Sequence, residues 1–267
     1  MTQKITLIGA GRMGSALAGG WLQAGRGGSI DIVDPQVSDL VQGWADAGRV
    51  RLNPPVESTD ILVVAVKPQM FGDLAASIAE RVSPETLVLS VMAGVSLETL
   101  EAKLGTSSVV RAMPNTPGLI GKGITVLSAP RGTNEAAISA LKGLLSPLGS
   151  VEGPVDEGLL SAVTALSGAG PAYGFLLVEM MAAAGAAHGL GADLAMRLAR
   201  KTVEGAGALM EASVEDAATL RRNVTSPNGV TQAALDVLMS ETAMPSLFED
   251  AIGAAIARDV ELSRETE

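Results

Sequence analysis

A glycine-punctuated turn, Gly9-Ala10-Gly11-Arg12-Met13-Gly14, stands between the apolar run Lys4-Ile5-Thr6-Leu7-Ile8 and a helical pattern through Leu17, Trp21 and Leu22. A second apolar run, Ile30-Asp31-Ile32-Val33, ends on Asp34, 20 residues past the last glycine of the turn. This spacing matches a strand–turn–helix–strand unit of the length a dinucleotide-binding βαβ motif needs. Gly9 is expected to make the tight turn, Gly11 to let the backbone approach a pyrophosphate, and Gly14 to let helix and strand pack closely. The helix start then offers free N–H groups and a positive dipole end to phosphate oxygens. Glycine-rich turns are common, so a turn without a ligand is the alternative. The strand before, the helix after and the acid at the right distance favour dinucleotide binding.

Beyond Asp34 the alternation continues. Residues 37–47 read as a helix and 50–52 as a short strand ended by Asn53-Pro54-Pro55. Residues 60–66 and 86–91 are continuous apolar runs of the kind a sheet covered on both faces requires. Each is followed by a helix, the first running through Leu74 and Ile78 after Lys67-Pro68-Gln69, the second over 97–104 with Ser96 as N-cap. Strands over 108–112 and 123–128, a helix over 134–145 and a last strand at Val151 complete the series. Strands alternating with helices imply a doubly wound, mainly parallel sheet, whose ligands bind outside the carboxyl ends of its strands. The turn at Gly9–Gly14, Asp34, Lys67 to Gln69, Ala93-Gly94 and Met113 to Pro117 should therefore share one rim.

From Asp156 onward the strand signal ends, and helices are expected over 157–166, 171–188, 192–211, 214–222, 229–240 and 245–265. The expected organisation is a Rossmann-type domain over 1–153 and an all-helical domain over 154–267. The region 159–190 is the most apolar, but Ser167, Gly168, Gly170-Pro171 and Glu179 interrupt it, which suits a buried helical hairpin better than a membrane span. Helices this apolar suggest burial beyond one subunit, most simply in a symmetric dimer, with a monomeric bundle as the alternative.

Composition narrows the chemistry. Of 267 residues, 47% are hydrophobic and 2% aromatic, so the core is built from aliphatic side chains and methionine. The net charge is −10 and no basic run occurs, which argues against nucleic acid as a partner. Residues 1–153 carry 12 basic and 13 acidic side chains, while 154–267 carry 7 and 16. The half proposed to hold a polyanionic cofactor is thus nearly neutral. With no cysteine and one histidine, His188, no thiolate or histidine metal site and no Ser-His-Asp triad can form. No cationic-then-apolar leader opens the chain, and a cytoplasmic protein is expected. His188 precedes Gly189 at a helix end, where a dipole contact is the natural role.

The stretch Val224-Thr225-Ser226-Pro227-Asn228-Gly229-Val230-Thr231 leads into a helix, with Ser226 placed as N-cap and Pro227 at the first helical position. It reads either as an ordinary capped helix start or as a carboxylate site, where backbone N–H groups and the hydroxyls of Ser226 and Thr231 meet an anion.

Five stretches together resemble the pyrroline-5-carboxylate reductase family over nearly the whole chain. They are Ile8 to Gly14, Ala65-Val66-Lys67-Pro68-Gln69, Arg111-Ala112-Met113-Pro114-Asn115-Thr116-Pro117, Ala162 to Tyr173, and Val224-Thr225-Ser226-Pro227. The resemblance implies reduction of the cyclic imine of 1-pyrroline-5-carboxylate to L-proline by hydride from NADPH or NADH. It implies a Rossmann domain followed by helices that interleave with a partner subunit, in dimers that often assemble further into decamers. By position it assigns the dinucleotide to Gly9, Ala10, Gly11, Arg12, Met13, Gly14 and the loop at Asp34. Ala65, Val66, Lys67 and Pro68 would border the ribose and nicotinamide, and Met113, Pro114, Asn115 and Thr116 would help place the nicotinamide ring. Ser226, Asn228, Gly229, Val230 and Thr231 would grip the substrate carboxylate, and Thr231 is the candidate catalytic hydroxyl, near the ring nitrogen or the carboxylate.

Two departures stand out. Asn228-Gly229 replaces a usual Gly-Gly, and asparagine tolerates left-handed φ better than most residues. Asp34-Pro35 replaces a Ser/Asn-Arg pair that meets a 2′-phosphate in many members, and a carboxylate there favours a free 2′-hydroxyl. Two rivals differ in class. A β-hydroxyacid dehydrogenase needs a lysine on the first long helix of its second domain, and 172–187 contains none. A non-catalytic dinucleotide sensor would bind cofactor without turnover.

Overall fold

The computed structural model describes residues 3–26 and 28–266. The opening unit is β1 (Lys4–Ile8), α1 (Arg12–Gln23) and β2 (Ser29–Val33). It is followed by α2 (Asp39–Asp46), β3 (Arg51–Leu52), β4 (Ile61–Val64), α3 (Pro68–Ala79), β5 (Leu87–Ser90) and α4 (Leu97–Leu104). Next come β6 (Val109–Met113), β7 (Gly123–Ser128), α5 (Glu135–Leu145) and β8 (Gly149–Val155). The eight strands form one sheet in the order β3-β2-β1-β4-β5-β6-β7-β8. All neighbours pair in parallel except β6 and β7. The order changes direction between β1 and β4, so a topological switch point, and with it a crevice, lies at their carboxyl ends.

Local chemistry explains the elements. Every residue of β4 is buried, as a strand covered on both faces must be. Successive residues alternate between two cores. Ile5, Leu7, Ile61 and Val63 pack with Leu17 and Trp21 on one side, while Ile8, Leu62 and Val64 pack with Phe71 and Leu100 on the other. Ser96 caps α4 by accepting the Thr99 N–H at 3.1 Å, and Asn134 caps α5 through the Ala136 N–H at 2.8 Å. Trp21, fully buried on α1, donates its indole N–H to the Leu144 carbonyl near the end of α5 at 2.8 Å. Lys4, Asp31, Arg51 and Glu57 tie three neighbouring strands and the loop before β4 together, with Arg51 forked onto the buried Asp31 carboxylate at 2.7 Å through both bonds. Hydrogen bonds from Lys4 and Arg51 hold the Glu57 carboxyl down at about 2.

After β8 the chain forms a 3-10 turn (Glu157–Leu159), α6 (Leu160–Val163) and a π-helical turn (Thr164–Gly168), where a single helix over 157–166 was expected. Then follow α7 (Gly170–Ala187), α8 (Ala192–Ala212), α9 (Ala217–Asn223), α10 (Val230–Leu238) and α11 (Met244–Thr266). Two compact units result, one of Met1–Gly168 with Ala255–Glu267, the other of Ala169–Ala254. A buried hairpin was expected within 159–190; instead α7 pairs with α8, which lies beyond that stretch, and Gly185 on α7 leaves room for Leu190 and Ala195. Tyr173 and Phe248 meet edge-to-face at 6.2 Å.

The second unit differs from a buried bundle in one respect. Ala182, Ala195 and Ala199 are its only buried residues among those described. Phe175, Leu176, Met180, Leu209 and Val237 are more than half exposed. The stretch Glu157–Ala187 is long and apolar enough to cross a membrane, yet within this chain it is almost uncovered. Apolar faces of this extent mark surfaces that another polypeptide covers.

Trp21 makes the sheet half testable. Trp21→Ala removes a large fully buried side chain and strands the Leu144 carbonyl, and is expected to lower stability by about 3–5 kcal/mol. Urea unfolding followed by circular dichroism checks this, and a loss under about 1 kcal/mol would mean the neighbouring helices close over the gap.

Candidate active site

The glycine turn has the shape its sequence demands. Gly9 has φ +93°, and a Cβ there would stand 2.8 Å from the Ala65 carbonyl oxygen at the end of β4. A Cβ on Gly14 would run into the Gly9 carbonyl, so only glycine lets α1 begin this close to β1. Gly11 is different, because a Cβ there would meet nothing within 4 Å. Its missing side chain leaves open space beside the first turn of α1. Gly11 is the N-cap, no side chain caps the helix, and no acid lies in its first turn. The N–H groups of that turn are therefore available to an anion, with the helix dipole behind them.

A cleft of about 400 Å³ opens at the switch point, and its wall includes Gly9, Gly11, Asp34, Ala65, Val66 and Lys67. Three of the five stretches of the expected rim are thus brought together, the glycine turn, Asp34 and the start of Lys67 to Gln69, while Ala93-Gly94 and Met113 to Pro117 do not line this cleft. Arg12, Met13 and Gly14 belong to the helix start and Ala10 is buried beneath the turn. Lys67 is exposed and forms the N-cap of α3 without using its side chain, and Pro68 takes the first helical position. The cleft suits a dinucleotide. It has free backbone donors at a helix start, a glycine face that no protein atom fills, and an apolar wall for a base.

Asp34 carries more structure than its spacing announces. Its Oδ2 accepts the Ala10 N–H at 2.7 Å and its Oδ1 accepts the Gln36 N–H at 2.8 Å. The carboxylate therefore holds the glycine turn as well as facing the cleft, and each oxygen keeps a lone pair. Asn53, expected only to end a strand, grips the Asp34 backbone at both its N–H and its carbonyl. Asparagine before Pro-Pro was the available signal, but its target lies 19 residues away.

Met113 ends β6, two strands beyond β4, and Pro114 to Thr116 lead into a 3-10 turn. Asn115 serves the turn itself. Its Oδ1 accepts the Ile124 N–H at 3.0 Å and its Nδ2 donates to Ser167 Oγ at 3.2 Å. The tip of Met113 lies against Gly168, where a Cβ would stand 2.8 Å from it. The π-helical turn of the Ala162-to-Tyr173 stretch is thereby packed on the end of β6, and such turns recur at functional sites.

In the helical unit, Ser226 is not the N-cap the sequence suggests. Ser226 to Gly229 form a β-turn closed by the Gly229 N–H on the Ser226 carbonyl at 3.0 Å, with Asn228 at φ +57°. Proline second and a left-handed residue third is the signature of a type II turn, and it delays the helix. Helix α10 starts at Val230 with Gly229 as N-cap, no side-chain cap and no acid in its first turn. Thr231 is its second residue. The hydroxyls of Ser226 and Thr231 have no hydrogen-bond partner among the described residues, so the turn and helix start present donors without an internal acceptor. His188 is the C-cap of α7, its N–H bonded to the Ala184 and Gly185 carbonyls.

Comparison with known proteins agrees with both halves. A family model described as pyrroline-5-carboxylate reductase dimerisation matches residues 157–262. One described as NADP oxidoreductase, coenzyme F420-dependent, matches residues 4–94. The chain is 37% identical to the pyrroline-5-carboxylate reductase of Pseudomonas aeruginosa, over 99% of this chain and 98% of that protein. It is also 37% identical to the Mycobacterium leprae reductase, over 97% and 96%. Among solved structures, a pyrroline-5-carboxylate reductase from Coxiella burnetii superposes with a TM-score of 0.89 at 32% identity, covering 98% of this chain and 99% of that one. The Plasmodium falciparum enzyme, solved with NADP bound, gives 0.78 at 26% identity, covering 98% of each chain. The helical half thus corresponds to a domain through which subunits associate, and the sheet half to one that takes a nicotinamide dinucleotide. A doubly wound sheet followed by a helical half, matched end to end at this identity, places the chain in the pyrroline-5-carboxylate reductase family of oxidoreductases.

Proposed function

We propose that this chain reduces the cyclic imine of 1-pyrroline-5-carboxylate to L-proline in the cytoplasm, the last step of proline biosynthesis. The observation that carries the proposal is the open face at Gly11 beside an uncapped helix start, in a chain related over its full length to reductases of this imine. The functional division is a cofactor domain over 1–153 and a substrate and dimerisation domain over 154–267. Chains pair through the helical domain and the pairs assemble into decamers; nucleic acid and membrane have no part.

When bound, a reduced nicotinamide supplies hydride to the imine carbon, and one proton completes the product amine. The chain's own residues bind and align. Gly9 to Gly14 hold the pyrophosphate on the α1 N–H groups, and Asp34 receives the adenosine ribose. Ala65, Val66, Lys67 and Pro68 border the ribose and nicotinamide, and Met113, Pro114, Asn115 and Thr116 set the ring position. Ser226, Asn228, Gly229, Val230 and Thr231 hold the substrate carboxylate at the mouth of α10. An imine that arrives protonated needs no strong acid from the protein, so proximity and anion binding supply the rate. This fits a chain with one histidine and no cysteine.

An assay following NADH or NADPH oxidation with pyrroline-5-carboxylate tests the activity, and cofactor binding without turnover would favour the sensor reading. Within it, Thr231→Ala is expected to raise the KM for the imine roughly tenfold while kcat falls less, as for a hydrogen bond to a charged group. An unchanged KM removes Thr231 from the site. Asp34 makes NADH usable beside NADPH, since a carboxylate accepts a free 2′-hydroxyl and repels a 2′-phosphate. Asp34→Ala is expected to shift the ratio of kcat/KM values towards NADPH by about tenfold; a strong NADPH preference in the parent that this change abolishes would contradict the assignment.

A further inference from the structure

The end of β3 holds a side chain that acts on the cofactor cleft without lining it. β3 is only two residues long, so Asp34 has no backbone partner on that flank. Asn53 supplies one. Its Oδ1 accepts the Asp34 N–H at 2.9 Å, and its Nδ2 donates to the Asp34 carbonyl at 3.0 Å. The side-chain amide thus reproduces the donor–acceptor pair of a strand residue. To reach that position Asn53 takes φ +48°, a conformation asparagine tolerates better than most residues. Its own N–H donates to the Ile32 carbonyl at 2.8 Å, which pins its backbone to β2.

The next residues are held from the other side. Arg81, 7% exposed and itself in the cleft wall, donates to the Pro54 and Pro55 carbonyls, each at 3.3 Å. Asp34 in turn spends one lone pair of each carboxylate oxygen on the Ala10 and Gln36 N–H groups. A linked set of bonds therefore runs from Asn53 through Asp34 to the glycine turn.

We propose that Asn53 is a positioning residue for the adenosine end of the cofactor, clamping Asp34 so that one carboxylate both keeps the glycine turn closed and accepts the ribose hydroxyls. This rests on the cofactor reading given above. Asn53 touches no part of the dinucleotide and acts only through Asp34.

The test is the dissociation constant for NADH, measured by calorimetry on the full-length protein. Asn53→Gly keeps the left-handed backbone and removes both clamp bonds, and should weaken NADH binding roughly tenfold. Asn53→Asp keeps the acceptor for the Asp34 N–H but sets a carboxylate oxygen against the Asp34 carbonyl, and should weaken NADH binding at least as much; it replaces the glycine variant if that one does not fold. In the Asp34→Ala background, Asn53→Gly should add little, because contacts in one chain of bonds are not additive. Parent-like NADH affinity in the Asn53 variants, or losses that add in the double variant, overturn the proposal while leaving the reductase reading intact. A parent protein that binds neither NADH nor NADPH overturns both.

Discussion

The contact between Gly14 and the Gly9 carbonyl governs how the sheet half works. Helix α1 can begin directly over the end of β1 only because position 14 has no side chain. The same closeness forces Gly9 into left-handed φ, with the Ala65 carbonyl filling the space a Cβ would need. Ends of β1 and β4 are thereby locked side by side, and the uncapped N–H groups of α1 face the crevice between them. Asp34 completes the arrangement from β2 by holding the Ala10 N–H. The uncapped helix start is a by-product of dense packing, as expected where glycines substitute for side chains at a strand-to-helix turn.

Much of this could be read along the chain. Fully buried strands such as β4 announce themselves as unbroken apolar runs, and Ser96 caps the helix it precedes. The rim stretches were expected together because a doubly wound sheet gathers its strand ends on one side. Other features depend on partners distant in sequence. Asn53 works on Asp34, and Asn115 binds Ile124 and Ser167. Neither spacing nor propensity marks such contacts. Ser226 went the other way. As N-cap it satisfied a local rule, yet Pro227 and Asn228 also fit a turn, and the turn prevailed, starting α10 at Val230. The π-helical turn at Thr164–Gly168 has no signature in apolar periodicity.

The residue inventory and the geometry make a consistent chemical picture. Neither α1 nor α10 has a side-chain cap, and both present backbone donors at their first turn. Backbone dipoles are fixed by the fold and need no proton of their own, which suits a reaction whose demand is alignment of an anionic dinucleotide with a small acid.

The helical half has a different dependence. Phe175, Leu176, Met180 and Val237 are surface by geometry in one chain, yet an association domain covers such positions. In a domain of this kind, apolar side chains left on the surface of one chain become core once a second polypeptide covers them. Mass action then enters the folding equilibrium of this half, and diluting the protein weakens it as a denaturant would. Polar replacements on these helices would therefore cost what interior replacements cost, although nothing in a lone chain surrounds them.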